Sequence, residues 1–312
     1  MRKHCLTLVL LSFFMLSAFN VWSSNLADKL LNMPITLLSG EQISLIDYKD
    51  KQAVYLKFWA TWCQPCLKEM PHFQHVQQQY NTSIKTIGIN LGIHDDEASV
   101  KALIDKFSLT MPTAIDDSGD LAKAFNFVGT PYHLLFDKQM NLVHVGHQAN
   151  ESLDNKLSLL SQSASLVQLP SDNIKNTEIS IDIDADNGQL HALYFTATWC
   201  DWYLVETRPE VSKNCIDGQK NMNQLSQKFT KINWHGIVSR LWTGKADLEE
   251  YKKKYNIKHL IKIDKSNHLF HQYNVKQYPT LILLKNDQVV YRTSNFSNKA
   301  NLEHIAELTK QL

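Results

Sequence analysis

The sequence predicts an α/β protein in which one structural plan occurs twice. Two apolar strands, which begin at Val54 and at His191, both end in Ala-Thr-Trp-Cys. A proline stands directly before a second apolar strand in each half of the chain, at Pro131 and at Pro279. Segments with helical patterns alternate with the strands, which is typical of an α/β sheet, and the repetition indicates two tandem domains.

The length and charge of the chain suit two globular domains. The chain has 312 residues, of which 44% are hydrophobic, and this is enough for two cores. Its 32 basic and 31 acidic residues give a net charge of +1. Nucleic acid is not expected as a partner, because binding to it depends on a basic surface.

The first 24 residues have the pattern of a secretory signal peptide. Two basic residues precede an apolar run from Leu6 to Phe19, and Ser23 and Ser24 follow it. This order predicts cleavage near Ser23 or Ser24 and a periplasmic location. An uncleaved membrane anchor is the alternative, although the run is shorter than the roughly 20 residues that span a bilayer.

The first copy is predicted to run from a hairpin to a closing helix. Residues 35–45 suit a hairpin whose turn lies at Ser39-Gly40. An apolar strand then leads to Cys63 and to a helix that contains Pro71. The remaining predicted elements are a helix near 95–107, strands at 132–136 and 142–145, and a helix near 151–162.

The second copy repeats this order after a polar connection. Residues 163–187 are rich in Ser, Asn and Asp and are predicted to be a linker that leads into the second domain. The predicted domains are therefore 25–162 and 188–312. The elements predicted in the second are a strand at 191–196, a helix with Pro209, strands at 280–284 and 289–292, and a helix near 298–311.

The stretch Trp62-Cys63-Gln64-Pro65-Cys66 predicts redox chemistry. Two cysteines this close at the start of a helix can alternate between dithiol and disulfide. The positive end of the helix dipole favours the thiolate of Cys63, and Cys66 lies one turn on, where it can resolve a mixed disulfide. A zinc site would need further ligands at a matching spacing, and no second Cys-x-x-Cys pair supplies them. We therefore expect no metal and no cofactor other than this disulfide.

The second copy lacks this pair, because Tyr203 stands where the resolving cysteine belongs. The short spacing pairs Cys63 with Cys66, which leaves Cys200 with Cys215. In one straight helix these two would lie about 22 Å apart, and a disulfide needs Cα atoms within about 7 Å. The pair can form only if the chain bends back, and Pro209 and the loop-like stretch 214–218 favour such a bend.

Three interpretations of the second copy stay open. Cys200 and Cys215 form a structural disulfide, or they form an unusual redox pair that exchanges electrons with the first domain, or Cys200 is unpaired. Trp202, Tyr203 and Pro279 predict a groove for a partner. The alternative is that the aromatic rings only fill the space that a thiol leaves, and that the proline serves the fold.

These motifs resemble the thioredoxin superfamily, and in particular its exported TlpA/ResA-like branch. The resemblance covers about residues 31–162, and the second copy is similar in plan more than in chemistry. It implies two tandem thioredoxin-like domains, each with a central mixed β-sheet flanked by helices. The matching pieces are the hairpin, the segment 58–66, Glu69-Met-Pro71, the insertion 87–112, Asp116-Asp-Ser-Gly119 and Gly129-Thr-Pro131.

The resemblance also implies roles for individual residues. Cys63 would be the exposed nucleophile and Cys66 the buried resolving thiol. Pro131 would follow a cis peptide bond and place the Thr130 backbone beside the sulfurs, where it pairs with an extended substrate chain. The residues expected to line this substrate groove are Trp62, Gln64, Pro65 and Thr130.

Two charged residues near the motif carry further expectations. In the ResA-like branch a glutamate at the position of Glu69 lies close to the thiols, where it would raise their pKa values and shuttle protons. The alternative for Glu69 is an ordinary exposed helix residue. Lys57 departs from thioredoxin, which carries a buried acid at this strand position. We expect Lys57 to extend its ammonium group to the surface. The alternative is a lysine that favours the thiolate if charged, or whose own pKa is lowered by burial.

The sequence thus predicts a periplasmic thiol–disulfide oxidoreductase that reduces disulfides in exported proteins. The resemblance implies partners such as apocytochrome c or copper-site proteins, and a membrane thiol reductant that restores the dithiol. The alternative is a partner-binding or chaperone-like module. In that case the second domain gives specificity and redox turnover is secondary.

Overall fold

The computed structural model describes residues 29–170 and 181–308. The predicted signal peptide therefore lies outside the described residues, as does the middle of the predicted linker. The boundaries 25–162, 163–187 and 188–312 stay predictions. No helix in the described ranges is long and apolar enough to cross a membrane.

Seven strands and five α-helices of the first half lie wholly within the described residues. A single turn of 3₁₀ helix lies at Leu45–Tyr48. The strands are β1 Ile35–Thr36, β2 Gln42–Ile43, β3 Ala53–Trp59, β4 Ile84–Asn90, β5 Thr113–Ile115, β6 Tyr132–Phe136 and β7 Leu142–Gly146. The helices are α1 Gln64–Lys68, α2 Met70–Tyr80, α3 Glu97–Lys106, α4 Asp120–Ala124 and α5 Glu151–Ser161.

The second half repeats this order without the hairpin. Its strands are β8 Leu190–Thr196, β9 Asn233–Ser239, β10 Leu260–Asp264, β11 Thr280–Lys285 and β12 Gln288–Thr293. Its helices are α6 Cys200–Tyr203, α7 Pro209–Lys228, α8 Lys245–Tyr255, α9 His268–Gln272 and α10 Lys299–Leu308.

The two five-stranded sheets have the same strand order. It is β5-β4-β3-β6-β7 in the first and β10-β9-β8-β11-β12 in the second. The central strands β3 and β8 pair in parallel on one side and antiparallel on the other. Every residue of both central strands is buried, as expected for strands covered on both faces. This confirms the prediction of two thioredoxin-like domains with mixed sheets.

The second domain bends its chain at a place that the sequence did not indicate. The stretch 214–218 looks loop-like by composition but lies inside α7, so that prediction was wrong. The bend falls at 204–208, and Pro209 begins the next helix, where a missing N–H costs nothing. Gly218 is required inside α7 because a Cβ there would lie 2.8 Å from the Pro279 ring.

The two sheets meet through the ends that carry the Trp-Cys motifs. One continuous apolar cluster includes Trp62 and Cys63 from the first half and Trp199 and Tyr278 from the second. The central strands end at this junction, so both motifs lie against the opposite domain. This placement determines the surroundings of every residue described next.

Candidate active site

Cys63 and Cys66 form a disulfide at the start of α1, with their Cα atoms 5.2 Å apart. Cys63 caps the helix, and its Sγ accepts the backbone N–H of Cys66 at 3.2 Å. Pro65 in the first turn suits a position whose N–H has no helical partner. The positive helix end stabilises a thiolate on Cys63 when the pair is reduced.

The cis peptide bond between Thr130 and Pro131 lies at the same end of the sheet. Pro131 immediately precedes β6, and the pairing of Tyr132 with Phe58 brings this turn level with the end of β3. Sheet register therefore brings together two segments that are far apart in the sequence. His147 lies behind the turn, with its Nδ1 2.9 Å from the carbonyl oxygen of Pro131.

Lys57 is wholly buried beneath the motif, so the expectation that it reaches the surface was wrong. Its strand is central and covered on both faces, which leaves the ammonium group no route to solvent. Instead the Nζ atom donates to Oε2 of Glu69 at 2.9 Å. Burial lowers the pKa of Lys57, and the neighbouring Glu69 carboxylate counteracts this effect.

Glu69 joins α1 to α2 and accepts from several groups at once. Its Oε1 accepts the N–H of Ala149 at 2.7 Å, and its Oε2 lies 3.2 Å from Nε2 of His133. Burial alone would raise the pKa of Glu69, but His133, Lys57 and the Ala149 N–H outweigh it and lower the pKa to about 2. The Glu69 side chain is only 15% exposed, so the alternative of an ordinary exposed helix residue was wrong, and its role as a proton shuttle stays a prediction.

Neither cysteine of the motif is accessible to solvent. Cys66 and Cys63 are each 0% exposed, so the expectation of an exposed nucleophile at Cys63 was wrong. Trp62 is also fully buried, and its ring stacks on Trp199 with centroids 5.1 Å apart and planes 23° apart. The rings of Trp199, Tyr203 and Trp242 that pack on Trp62 belong to the other domain, so the sequence did not indicate its burial.

Residues of the second domain bond directly to the backbone of the motif. The Tyr203 hydroxyl accepts the N–H of Gln64 at 3.1 Å. The Trp242 indole donates to the Thr130 carbonyl at 3.2 Å, and its backbone N–H donates to the Val128 carbonyl at 3.0 Å. Trp242 was not predicted as a site residue, and the one signal for it in the sequence is a tryptophan three residues after β9.

Polar pairs surround these central contacts. Arg208 donates to Oγ1 of Thr61 at 2.7 Å and lies 3.7 Å from Oδ1 of Asp95. At the rim, Lys276 pairs with Asp117 at 2.8 Å and His271 with Asp120 at 2.8 Å. All four contacts join one domain to the other.

The second motif holds a disulfide of a different construction. Cys200 in α6 and Cys215 in α7 are bonded, with Cα atoms 6.1 Å apart, so the interpretation of an unpaired Cys200 was wrong. Both sulfurs lie near the carbonyl oxygen of Tyr278, at 4.0 Å and 3.6 Å. The Tyr278–Pro279 peptide bond is cis, like its counterpart in the first domain.

A cleft of about 510 Å³ opens where the two domains meet. Of the predicted second-domain groove, Trp202 and Tyr203 line this cleft, and Trp202 is 60% exposed. Pro279 does not line it, because it packs close to Gly218 on the inner side. Pro65 and Thr130 form the wall that belongs to the first domain.

Comparisons with known proteins concern the first domain. Residues 26–145 match the model of the AhpC/TSA family. The thiol-disulfide oxidoreductase ResA of Bacillus thuringiensis subsp. konkukian is 34% identical over 128 residues, which are 40% of this chain and 73% of ResA. The thioredoxin-like protein YneN of Bacillus subtilis is 36% identical over 125 residues, or 39% of this chain and 72% of YneN. The crystal structure of StoA from Bacillus subtilis aligns at 26% identity with a TM-score of 0.35, covering 40% of this chain and 95% of StoA.

Proposed function

Because the chain belongs to the family of thioredoxin-like thiol-disulfide oxidoreductases that includes ResA, we propose that it reduces disulfides in exported proteins. The observation that carries this proposal is the Cys63–Cys66 disulfide at a helix N-terminus, level with the cis bond before Pro131. A helix N-terminus lowers thiol pKa values and so increases the thiolate that attacks.

The reaction consists of two sulfur displacements. The Cys63 thiolate attacks one sulfur of the partner's disulfide, and the other partner sulfur leaves as a thiolate that takes up a proton. The Cys66 thiolate then attacks Sγ of Cys63, which releases the second partner thiol and closes the Cys63–Cys66 bond. Two electrons pass to the partner, and the cycle uses no cofactor besides the cysteine pair.

The cycle needs an external source of two electrons, since an exported chain works in an oxidising compartment. We assign this supply to a membrane thiol reductant. The signal-peptide pattern of residues 1–24 supports a periplasmic location. Apocytochrome c and copper-site proteins are the proposed partners, because both need their cysteines reduced before a cofactor or metal binds.

Redox turnover is favoured over the binding-module alternative. The first motif keeps both cysteines bonded at a helix start, and relatives that match the first domain are named as oxidoreductases. A module that only bound partners would not require Cys66 one turn after Cys63.

Two measurements test the proposal. Equilibration of the full chain with glutathione is expected to give the Cys63–Cys66 pair a potential near that of thioredoxin, about −270 mV. A value near −120 mV, typical of a strong oxidant, would contradict the reductant role.

Trapping identifies the partners. Cys66→Ala cannot resolve its mixed disulfides, so partners stay bonded to Cys63 and can be identified by mass spectrometry. The matched control is Cys63→Ala/Cys66→Ala, which lacks the attacking sulfur. Equal capture by both variants would show that the captured proteins are not substrates.

A further inference from the structure

We propose that the second domain is a built-in competitor for substrate. Its segment 240–243 occupies the strip 126–130 beside Cys63, and a protein partner reaches the cysteine pair only when the domains part. This inference rests on the proposed function for its consequence, but access to Cys63 can be measured without any protein substrate.

The contacts along the strip follow a regular spacing. Arg240 donates to the side chain of Asn126 at 3.1 Å, and the Trp242 N–H donates to the Val128 carbonyl at 3.0 Å. The Trp242 indole then donates to the Thr130 carbonyl at 3.2 Å. Alternate residues of the strip are therefore engaged up to the cis bond, one by a bond between two backbones and two by side chains of the second domain.

The indole of Trp242 lies directly on the strip. A Cβ atom at Gly129 would be only 2.5 Å from Cδ1 of Trp242, so Gly129 lets the ring approach the backbone. No extended chain can pair with the Thr130 carbonyl while this ring is in place. The competitor thus blocks the backbone position that an incoming substrate needs.

The residues on both sides of Cys63 pack against the same domain. Trp199 stacks on Trp62, Tyr203 accepts the N–H of Gln64, and Cys63 is 0% exposed. Disulfide exchange requires direct approach of a sulfur to Sγ of Cys63. The closed arrangement therefore cannot react, and exchange must proceed from an open one.

The interface is reciprocal, which indicates a specific fit. His94 follows β4 as Trp242 follows β9, and both residues have left-handed backbone conformations, with φ of 54° and 50°. The His94 N–H donates to the Lys276 carbonyl at 2.9 Å, and its Nε2 accepts the N–H of Tyr278 at 3.0 Å. In each domain, the loop after the corresponding strand therefore packs on the segment before the other domain's cis proline.

The test measures how fast dithiothreitol reduces the Cys63–Cys66 bond in the oxidised full chain, with acid quenching, alkylation and peptide mass spectrometry. Trp242→Ala removes the hydrogen bond and the ring, and we expect reduction to become about tenfold faster. Trp242→Phe keeps a ring without the donor, and its rate is expected to lie in between.

Charge variants at the rim keep the proposal testable if Trp242→Ala folds poorly. Lys276→Glu places like charges beside Asp117 and is expected to speed reduction about threefold, less so at high salt. The swap Asp117→Lys/Lys276→Glu restores an opposite pair and should return the rate towards that of the unaltered chain. Lys265→Glu, an exposed charge change elsewhere in the second domain, is the matched control.

Three outcomes of these experiments are informative. Faster reduction in the Trp242 and Lys276 variants, reversed by the swap, supports the competitor. Equal rates in all variants would overturn it, because the second domain would then not limit access to Cys63. If the Trp242→Ala chain is reduced faster yet does not reduce protein disulfides, the competitor stands and the proposed function fails.

Discussion

The Cys63 motif and the Cys200 motif occupy matching places in two sheets of the same strand order, yet they are built differently. Cys63 pairs with a cysteine three residues on in its own helix, whereas Cys200 pairs across two helices with Cys215, 15 residues on. Both motifs keep a tryptophan indole bonded to a carbonyl beyond the next strand, from Trp62 and from Trp199. The matching place in the second domain therefore keeps a disulfide without the two-cysteine motif.

The residues beneath the two motifs also differ. In the first domain the central strand carries Lys57, whose ammonium group is neutralised by Glu69. At the matching positions the second domain has Tyr194, which is fully buried, and Glu206, which is exposed. At these two positions the first domain therefore has an ion pair with a wholly buried lysine, whereas the buried Asp201 of the second domain pairs with the half-exposed Lys254.

The largest expected effect separates the chemistry of the two motifs. Cys63→Ser is expected to reduce turnover of insulin disulfides to background, because a hydroxyl group cannot form a mixed disulfide. Cys200→Ser/Cys215→Ser is the corresponding change in the second motif and is expected to keep turnover. Lost turnover in this double variant at unchanged stability would show an electron relay between the motifs.

Glu69→Gln tests the buried ion pair. It leaves the charge of Lys57 without a partner, and we expect a loss of about 3–5 kcal/mol in the free energy of unfolding, measured by urea titration. Glu206→Gln is the matched surface change, for which about 0.5 kcal/mol or less is expected. Similar losses in both variants would contradict the contrast between the domains.

Removal of the Cys200–Cys215 disulfide tests whether this bond stabilises the fold. Chain entropy for a loop of this length predicts a loss of about 3 kcal/mol in Cys200→Ser/Cys215→Ser, seen as a lower Tm. The helices α6 and α7 would then be joined by the bend at 204–208 and by the bond from Ser212 Oγ to the Asp201 carbonyl. An unchanged Tm would refute a structural role for this bond.

The smallest expected effect is a pH dependence of stability. The folded pKa of Glu69 is about 2, against an ordinary value of 4.5. Its contribution is therefore present above pH 4.5 and lost as the pH falls towards 2. After allowance for partial exposure it amounts to about 2 kcal/mol. Unfolding of the unaltered chain and of Glu69→Gln at about pH 6 and pH 3 measures it, and equal pH slopes would contradict the lowered pKa.

Much of the fold and part of the site follow from local pattern. Two strands ending in Ala-Thr-Trp-Cys, each followed by a helix and later by a proline and a strand, are enough to predict two α/β copies. The spacing of Cys63 and Cys66 likewise predicts a redox pair, because both cysteines belong to one helical turn. The prediction of a loop at 214–218 was wrong because the packing of Gly218 on Pro279 outweighs the loop-like composition of this stretch.

The sequence by itself determined the elements, the repeat and the chemistry of Cys63 and Cys66, since each depends on residues close together in the chain. Only the tertiary structure decided that Lys57 is buried, that Cys63 is covered and that Trp242 lies on Thr130. The contact between Gln64 and Tyr203 joins residues 139 positions apart. Such contacts depend on the shapes of two folded surfaces, and no local periodicity records them.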